Sequence, residues 1–326
     1  MNYKKIAEAA GVSVGTVSKA FSYSKEISEK TRAKIFAVAK EAGVLEKYTR
    51  AKYEKHVIAV LCPEIVSQYY AEMVSILDGI IKSNGDMMMM SITNFAGDTA
   101  AGLYDYYQKY ARVDGILIIA SHKMFAAQSQ VPTVVLGPSP ETPGIDAVET
   151  SLAGAVYEAI RYLKDSNRRR IAFIGETLTC SKLAAYETAL LKCGIPLSHD
   201  LIVVSESRFE AAGYDGAERL LALTEPPDAI ITAYDYIAIG AIKALKKHGL
   251  TVPEDVSIIG MDDISLASYL DIPLTTIKTD LTEICETAAR LLYKKMDNQY
   301  YFSREENIIP GELVIRESVA DRKREK

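Results

Sequence analysis

Residues 6–22, IAEAAGVSVGTVSKAFS, set two short amphipathic segments on either side of a glycine. In the first, Ile6, Ala7 and Ala10 recur at helical spacing, Asn2 stands where a side chain can cap the helix start, and Gly11 tolerates the left-handed conformation that ends it. Val12 then turns inward and Ser13 is a good cap for a second helix from Val14 to about Phe21, with Val17, Ala20 and Phe21 on one face. After the polar stretch SYSKEI, Ser28 can cap a third helix whose Ile35, Val38, Ala39 and Ala42 are expected to face the same core until Gly43 stops it. The spacing therefore predicts helix, tight turn, helix, and a third helix, all within about the first 48 residues.

Charge separates this head from the rest. Residues 1–55 hold ten lysines and two arginines against six glutamates, a balance of +6, whereas the whole chain of 326 residues carries −5, which leaves −11 for the remainder. A basic head on an acidic body suits a nucleic-acid-binding module joined to a domain with another task. With 48% hydrophobic and 25% charged residues the chain can bury a sizeable core. No run of about 18 apolar residues appears, and the start MNYKKIAEAAG is charged and amphipathic rather than leader-like, so a cytoplasmic protein away from the membrane is expected. Cys62, Cys180, Cys193 and Cys285 are far apart and form no CxxC pair, which reads as reduced thiols, with neither metal site nor disulfide framework implied.

With 27–44, ISEKTRAKIFAVAKEAGV, in the same register, the head resembles the DNA-binding head of the lactose/galactose repressor family. The resemblance implies double-stranded DNA as partner, with the start of the second helix in the major groove. Val14, Gly15 and Lys19 are then expected at base edges: Val14 on a thymine methyl, Lys19 on guanine O6/N7, Gly15 allowing only a close backbone approach. Ser13, Thr16 and Ser18 are expected on phosphates. Residues 49–56 form the link. The family's hinge pattern is altered here, placing Arg50 at an alanine–arginine pair and Tyr53 at the leucine that wedges open the minor groove. Tyr53 is either such a wedge or part of a basic linker whose Lys47, Arg50, Lys52 and Lys55 touch phosphates.

From 57 to 320, short apolar runs alternate with helical patterns, which predicts α/β architecture with parallel sheets covered by helices. HVIAVLCP, DMMMMSIT, DGILIIA and PTVVLG read as strands of one lobe, and RRIAFIG, DLIVVSE, DAIITA and SIIGMDD as strands of another. Residues 228–281, DAIITAYDYIAIGAIKALKKHGLTVPEDVSIIGMDDISLASYLDIPLTTIKTDL, are similar to the sensing core of the same family, a periplasmic-binding-protein-like pair of doubly wound lobes. That implies lobes of about 57–153 with 282–309 and about 156–279 with 310–320, a charged tail at 321–326, and a ligand crevice between the lobes.

Carried over in register, the effector positions are Tyr69, Tyr70, Glu149, Lys182, Tyr234 and Asp262. Tyrosines stack on a sugar face, and carboxylates accept hydroxyl donors. Lys182 replaces the family's arginine and Tyr234 its asparagine, which departs from ordinary hexose recognition. The alternatives are that Tyr69 and Tyr70 pack a helix start and that Glu149, Lys182 and Asp262 form structural ion pairs. Met87 to Met90 read as a buried strand rather than a soft-metal site, and Arg168 to Arg170 as a solvated turn. No GxGxxG, GxxxxGK[ST] or GxSxG motif supports an enzyme, and no cofactor is called for. The expectation is a homodimeric, effector-modulated regulator on a pseudo-palindromic operator, the other reading being a ligand-independent regulator with a degenerate pocket.

Overall fold

The computed structural model describes residues 1–326 apart from 22–23, 25, 46–47, 49–54, 112, 121–130, 139–141, 298–303 and 321–326. It divides into two units, 1–56 and 57–326.

In the first unit α1 (Tyr3–Ala10) begins with the Lys5 N–H donating to the Asn2 side chain at 3.1 Å and ends at Gly11, whose φ is +64°. The Thr16 N–H donates to Ser13 Oγ at 3.0 Å, capping α2 (Val14–Phe21). Ser28 does the same for Thr31 at the start of α3 (Glu29–Glu41). Ile6, Ala10, Val17, Ala20, Ile35 and Ala39 are fully buried and close one small core. Ala42, expected in that core, is exposed because α3 ends at Glu41 and the chain has already turned away. Phe36 joins instead, stacked on Phe21 with centroids 5.4 Å apart, and Tyr3 and Tyr48 complete an aromatic cluster. Arg32 is buried, pairs with Glu29 and donates to the Ser24 carbonyl at 2.8 Å, which fixes the approach from α2 to α3.

The second unit holds two six-stranded sheets. The first, ordered β11 (Glu306–Pro310), β5 (Asp146–Ser151), β4 (Thr133–Leu136), β3 (Gly115–Ile119), β1 (Val57–Cys62) and β2 (Met87–Ile92), is parallel throughout. The second, ordered β12 (Glu312–Val314), β10 (Thr275–Lys278), β9 (Ser257–Met261), β8 (Ala229–Thr232), β6 (Ile171–Glu176) and β7 (Ile202–Ser205), is parallel except for β12. β1, β3 and β4 are almost wholly apolar because helices cover both faces. α4 (Gln68–Ser83) and α10 (Leu281–Asp297) pack on one face of the first sheet, and α5 (Gly97–Lys109) on the other through Tyr104 and Tyr107. α6 (Ala153–Asp165), α7 (Cys180–Lys192), α8 (Phe209–Leu221) and α9 (Asp235–Lys247) build the second core.

The chain crosses between lobes after β5, after β10 and between β11 and β12, and the crossings lie side by side. Gly311 N–H donates to the Ser151 carbonyl at 3.0 Å, and a Cβ at Gly311 would stand 3.0 Å from Leu152 and 3.2 Å from the Lys278 carbonyl. α8 and α9 also touch backbone to backbone. A Cβ at Gly213 would fall 1.8 Å from the Ile237 carbonyl oxygen, and one at Gly240 1.9 Å from that of Glu210.

Two further expectations are corrected. β2 is an edge strand, so Met87, Met89, Met90 and Ile92 are exposed rather than buried. Arg168 is not in a solvated turn: it is buried, and its guanidinium donates to the carbonyls of Pro253, Glu254 and Asp255 at 2.5, 2.9 and 3.2 Å, tying α6's end to the loop before β9.

Candidate functional site

Burial on one side of α2 leaves the other side facing outward. Val14 is 47% exposed, and Ser13, Gly15, Ser18 and Lys19 share its exposure, while Thr16 is half-buried. Val17, Ala20 and Phe21 anchor the helix from beneath. The hydroxyls of Ser13 and Thr16 lie 2.8 Å apart and cap the helix. Lys19 forms an ion pair with Glu26, a partner that sequence reasoning missed, and the ammonium beside it holds the exposed Glu26 carboxyl below the usual range. The face thus presents a helix N-terminus, small hydroxyls, one apolar side chain and a lysine: chemistry matched to phosphates, thymine methyls and guanine edges. Arg50 and Tyr53 lie outside the described residues.

In the second unit a cavity of about 210 Å³ opens between the lobes at the carboxyl ends of the strands. Tyr69, Tyr70, Glu149, Lys182, Tyr234 and Asp262 all line it. Tyr69 and Tyr70 sit in the first turn of α4, edge to face with centroids 5.2 Å apart, so they line the cavity and pack the helix start at once. Burial raises both phenols, and that of Tyr234, well above their ordinary values, which keeps them neutral donors. Glu149 projects from β5 and its carboxylate has no hydrogen bond or ion pair among the described residues.

Asp262 follows β9 with φ +104°, and Asp263 follows with φ +52°, so the loop turns sharply into the cavity. Lys182 Nζ donates to Asp262 Oδ1 at 2.9 Å and to the Ala233 carbonyl at 2.7 Å, and lies 4.3 Å from the centre of the Tyr234 ring. Burial pushes the Asp262 carboxyl up and Lys182 draws it back. Lys182 and Asp262 are therefore cavity-lining and paired with one another, which merges the two readings of the sequence. Beneath them Asp235 is fully buried, accepting from Ile264 N–H at 2.9 Å and from the Thr276 hydroxyl at 2.6 Å. Burial, with the charge of Asp262, moves its carboxyl up to about 8.

Sequence reasoning missed a second ionic group. Arg208, just before α8, grips Glu64 of the first lobe through Nη1 and Nη2 at 2.7 and 3.0 Å and donates from Nε to Glu176 at 3.1 Å. Its guanidinium carbon lies 5.1 Å from the Phe95 ring centre and 4.4 Å from that of Phe209. Ser265 Oγ and Gln68 Oε1, 3.2 Å apart, make a second bond across the lobes. A signal existed for these residues: Glu64, Glu176 and Arg208 each lie at or just past the carboxyl end of a strand, as the expected Asp262 does, where open α/β sheets place their ligands.

Comparison with known proteins agrees with this arrangement. Residues 2–44 match the family described as bacterial regulatory proteins, lacI family, and residues 160–319 match the periplasmic binding protein-like domain. The HTH-type transcriptional repressor CytR of Escherichia coli strain K12 is 31% identical over 330 residues, covering 97% of this chain and 95% of the relative. The HTH-type transcriptional repressor PurR of Photobacterium profundum is 26% identical over 333 residues, covering 98% of each. Among solved structures, the lac repressor dimer bound to operator and the anti-inducer ONPF has a TM-score of 0.74 at 23% identity, covering 98% of this chain and 99% of that one. The transcriptional regulator CelR–cellobiose complex has a TM-score of 0.71 at 24% identity, with the same coverage. With a capped helix-turn-helix ahead of a two-lobed core, and with a repressor matched along nearly its whole length, the chain belongs to the lacI family of bacterial regulatory proteins.

Proposed function

We propose that this chain is a cytoplasmic transcription repressor that binds a pseudo-palindromic operator as a homodimer and whose DNA affinity is set by a small molecule, a sugar or glycan fragment, held between the lobes. One observation carries the effector half of this reading: six side chains spread from position 69 to position 262 line a single cavity at the strand ends. The exposed start of α2 supports the DNA half. Val14, Gly15 and Lys19 read base edges, and Ser13, Thr16 and Ser18 engage phosphates, with Arg50 and Tyr53 of the link on the minor-groove side. Tyr69, Tyr70 and Tyr234 supply stacking faces, Glu149 and Asp262 accept hydroxyl donors, and Lys182 orients Asp262.

Two heads are needed because one helix reads only a short half-site, and a two-fold dimer matches a two-fold operator. Its relatives are repressors, and the reading is of a binding protein rather than an enzyme. No helix among the described residues is long and apolar enough to cross a membrane. The test is fluorescence anisotropy with duplexes from the region around its own coding sequence, over a salt titration. Binding that weakens steeply with salt and shifts with cellobiose, ribose or related sugars is expected. Absence of binding to every such duplex at low salt refutes the proposal.

A further inference from the structure

We infer that the effector bears a protonated amine on a hydroxylated scaffold, as amino sugars do, and that the cleft rejects phosphorylated and acidic ligands; this rests on the effector reading above. Anionic ligands are held most strongly by arginine or lysine whose charge is not already balanced by a carboxylate. Among the described residues lining the cavity the cations are Lys182 and Arg208, and both are engaged. Arg208 spends Nη1 and Nη2 on Glu64 and Nε on Glu176, with aromatic rings near its guanidinium. Lys182 is held by Asp262, the Ala233 carbonyl and the Tyr234 ring. A phosphate or carboxylate ligand would meet only cations whose charge is already balanced by neighbouring carboxylates, and would add its own negative charge to theirs.

The carboxylates, by contrast, are in excess. Of the described lining residues, Glu64, Glu149 and Asp262 stand against the two cations, and Arg208 is shared with a further carboxylate, Glu176, outside the lining. Glu149 has no ionic or hydrogen-bonding partner for its carboxylate among the described residues. Glu176 is 1% exposed, and its Oε2 has no hydrogen-bond partner among the described residues. Uncompensated negative charge beside tyrosine faces is the environment that recognises an ammonium, through an ion pair on one side and ring quadrupoles on the other.

The experiment is a thermal-shift titration at pH 7 and constant ionic strength with D-glucose, D-glucosamine and D-glucose 6-phosphate, and with the corresponding galactose trio. It is run on the full chain and on Glu149→Gln and Glu149→Asp, each checked for native circular dichroism and operator binding. The amine form is expected to bind at least tenfold more tightly than its neutral parent, and the phosphate form not at all. Glu149→Gln should erase the amine's advantage, and Glu149→Asp should keep part of it. A phosphorylated sugar that binds more tightly than its parent, or amine and parent binding equally, overturns the inference while leaving the effector reading standing. No shift from any of the six overturns this inference, while operator binding that still responds to cellobiose or ribose keeps the effector reading standing.

Discussion

At the level of single residues, the head and the core pose different questions. Lys19 is the one basic side chain on the exposed face of α2, and Glu26 steadies it. Lys19→Ala is expected to relax preference at one base position, costing about 1–3 kcal/mol on the best operator and much less on random DNA. Selection of binding sites from a randomised pool reads this directly, and equal loss on both kinds of DNA would remove Lys19 from base recognition. In the core, Arg168 satisfies three carbonyls from within a buried setting. Arg168→Ala leaves those acceptors dry and should destabilise folding by on the order of 3 kcal/mol, measured by urea unfolding. A change within the error of the method would mean that water replaces the guanidinium.

At the level of elements, the start of α9 carries the clearest pH dependence. The folded carboxyl of Asp235, near 8, lies above an unfolded one near about 4, so the folded state binds more protons between those limits. Stability from this group is full below about pH 4 and falls as the pH rises towards 8, by up to roughly 1.4 kcal/mol per unit. Asp235→Asn should flatten that slope, because an amide has no proton to lose yet still offers one acceptor to Ile264. Unfolding curves at pH 5, 6.5 and 8 check it; an unchanged slope would assign the dependence elsewhere. How much of the structure the sequence discloses follows element by element. The helices of the head are legible because caps, glycines and periodicity agree at each boundary. Eight strands are legible as apolar runs, but β5, β10, β11 and β12 are not, being short or mixed, as in DAVETS and TTIK, and completed only by partners distant in sequence. β2 has the composition of a buried strand, yet its place at the sheet edge is a matter of topology that no local pattern records. The six carried-over cleft residues are readable one at a time. The Arg208 group is not, because its partners at 64 and 176 are joined only when two lobes meet.

At the scale of the whole molecule, two predictions concern surfaces and motion. The edge of β2 leaves Met87, Met89, Met90 and Ile92 in the open, an apolar edge of the kind that a partner covers. Met89→Lys is expected to weaken self-association in sedimentation experiments, whereas an unchanged dimer would locate the interface elsewhere. Arg208 and Glu64 join the lobes by two parallel bonds. Glu64→Gln should increase the radius of gyration of the ligand-free core in solution scattering; identical scattering would show that the pair does not hold the lobes together. The glycine contacts between α8 and α9 bear on how such an opening proceeds. Phe209 and Tyr234, rings 6.4 Å apart, sit at the heads of two helices that leave no room for even one methyl group between their backbones. Neither helix start can be shifted without carrying the other, so the backbone of this wall of the chamber behaves as a fixed die. A guest of another size is then expected to be met either by the opposite lobe turning about the triple crossing at Gly311 or by exchange of the side chains set on this frame, as the tyrosine at 234 in place of the family's asparagine exemplifies.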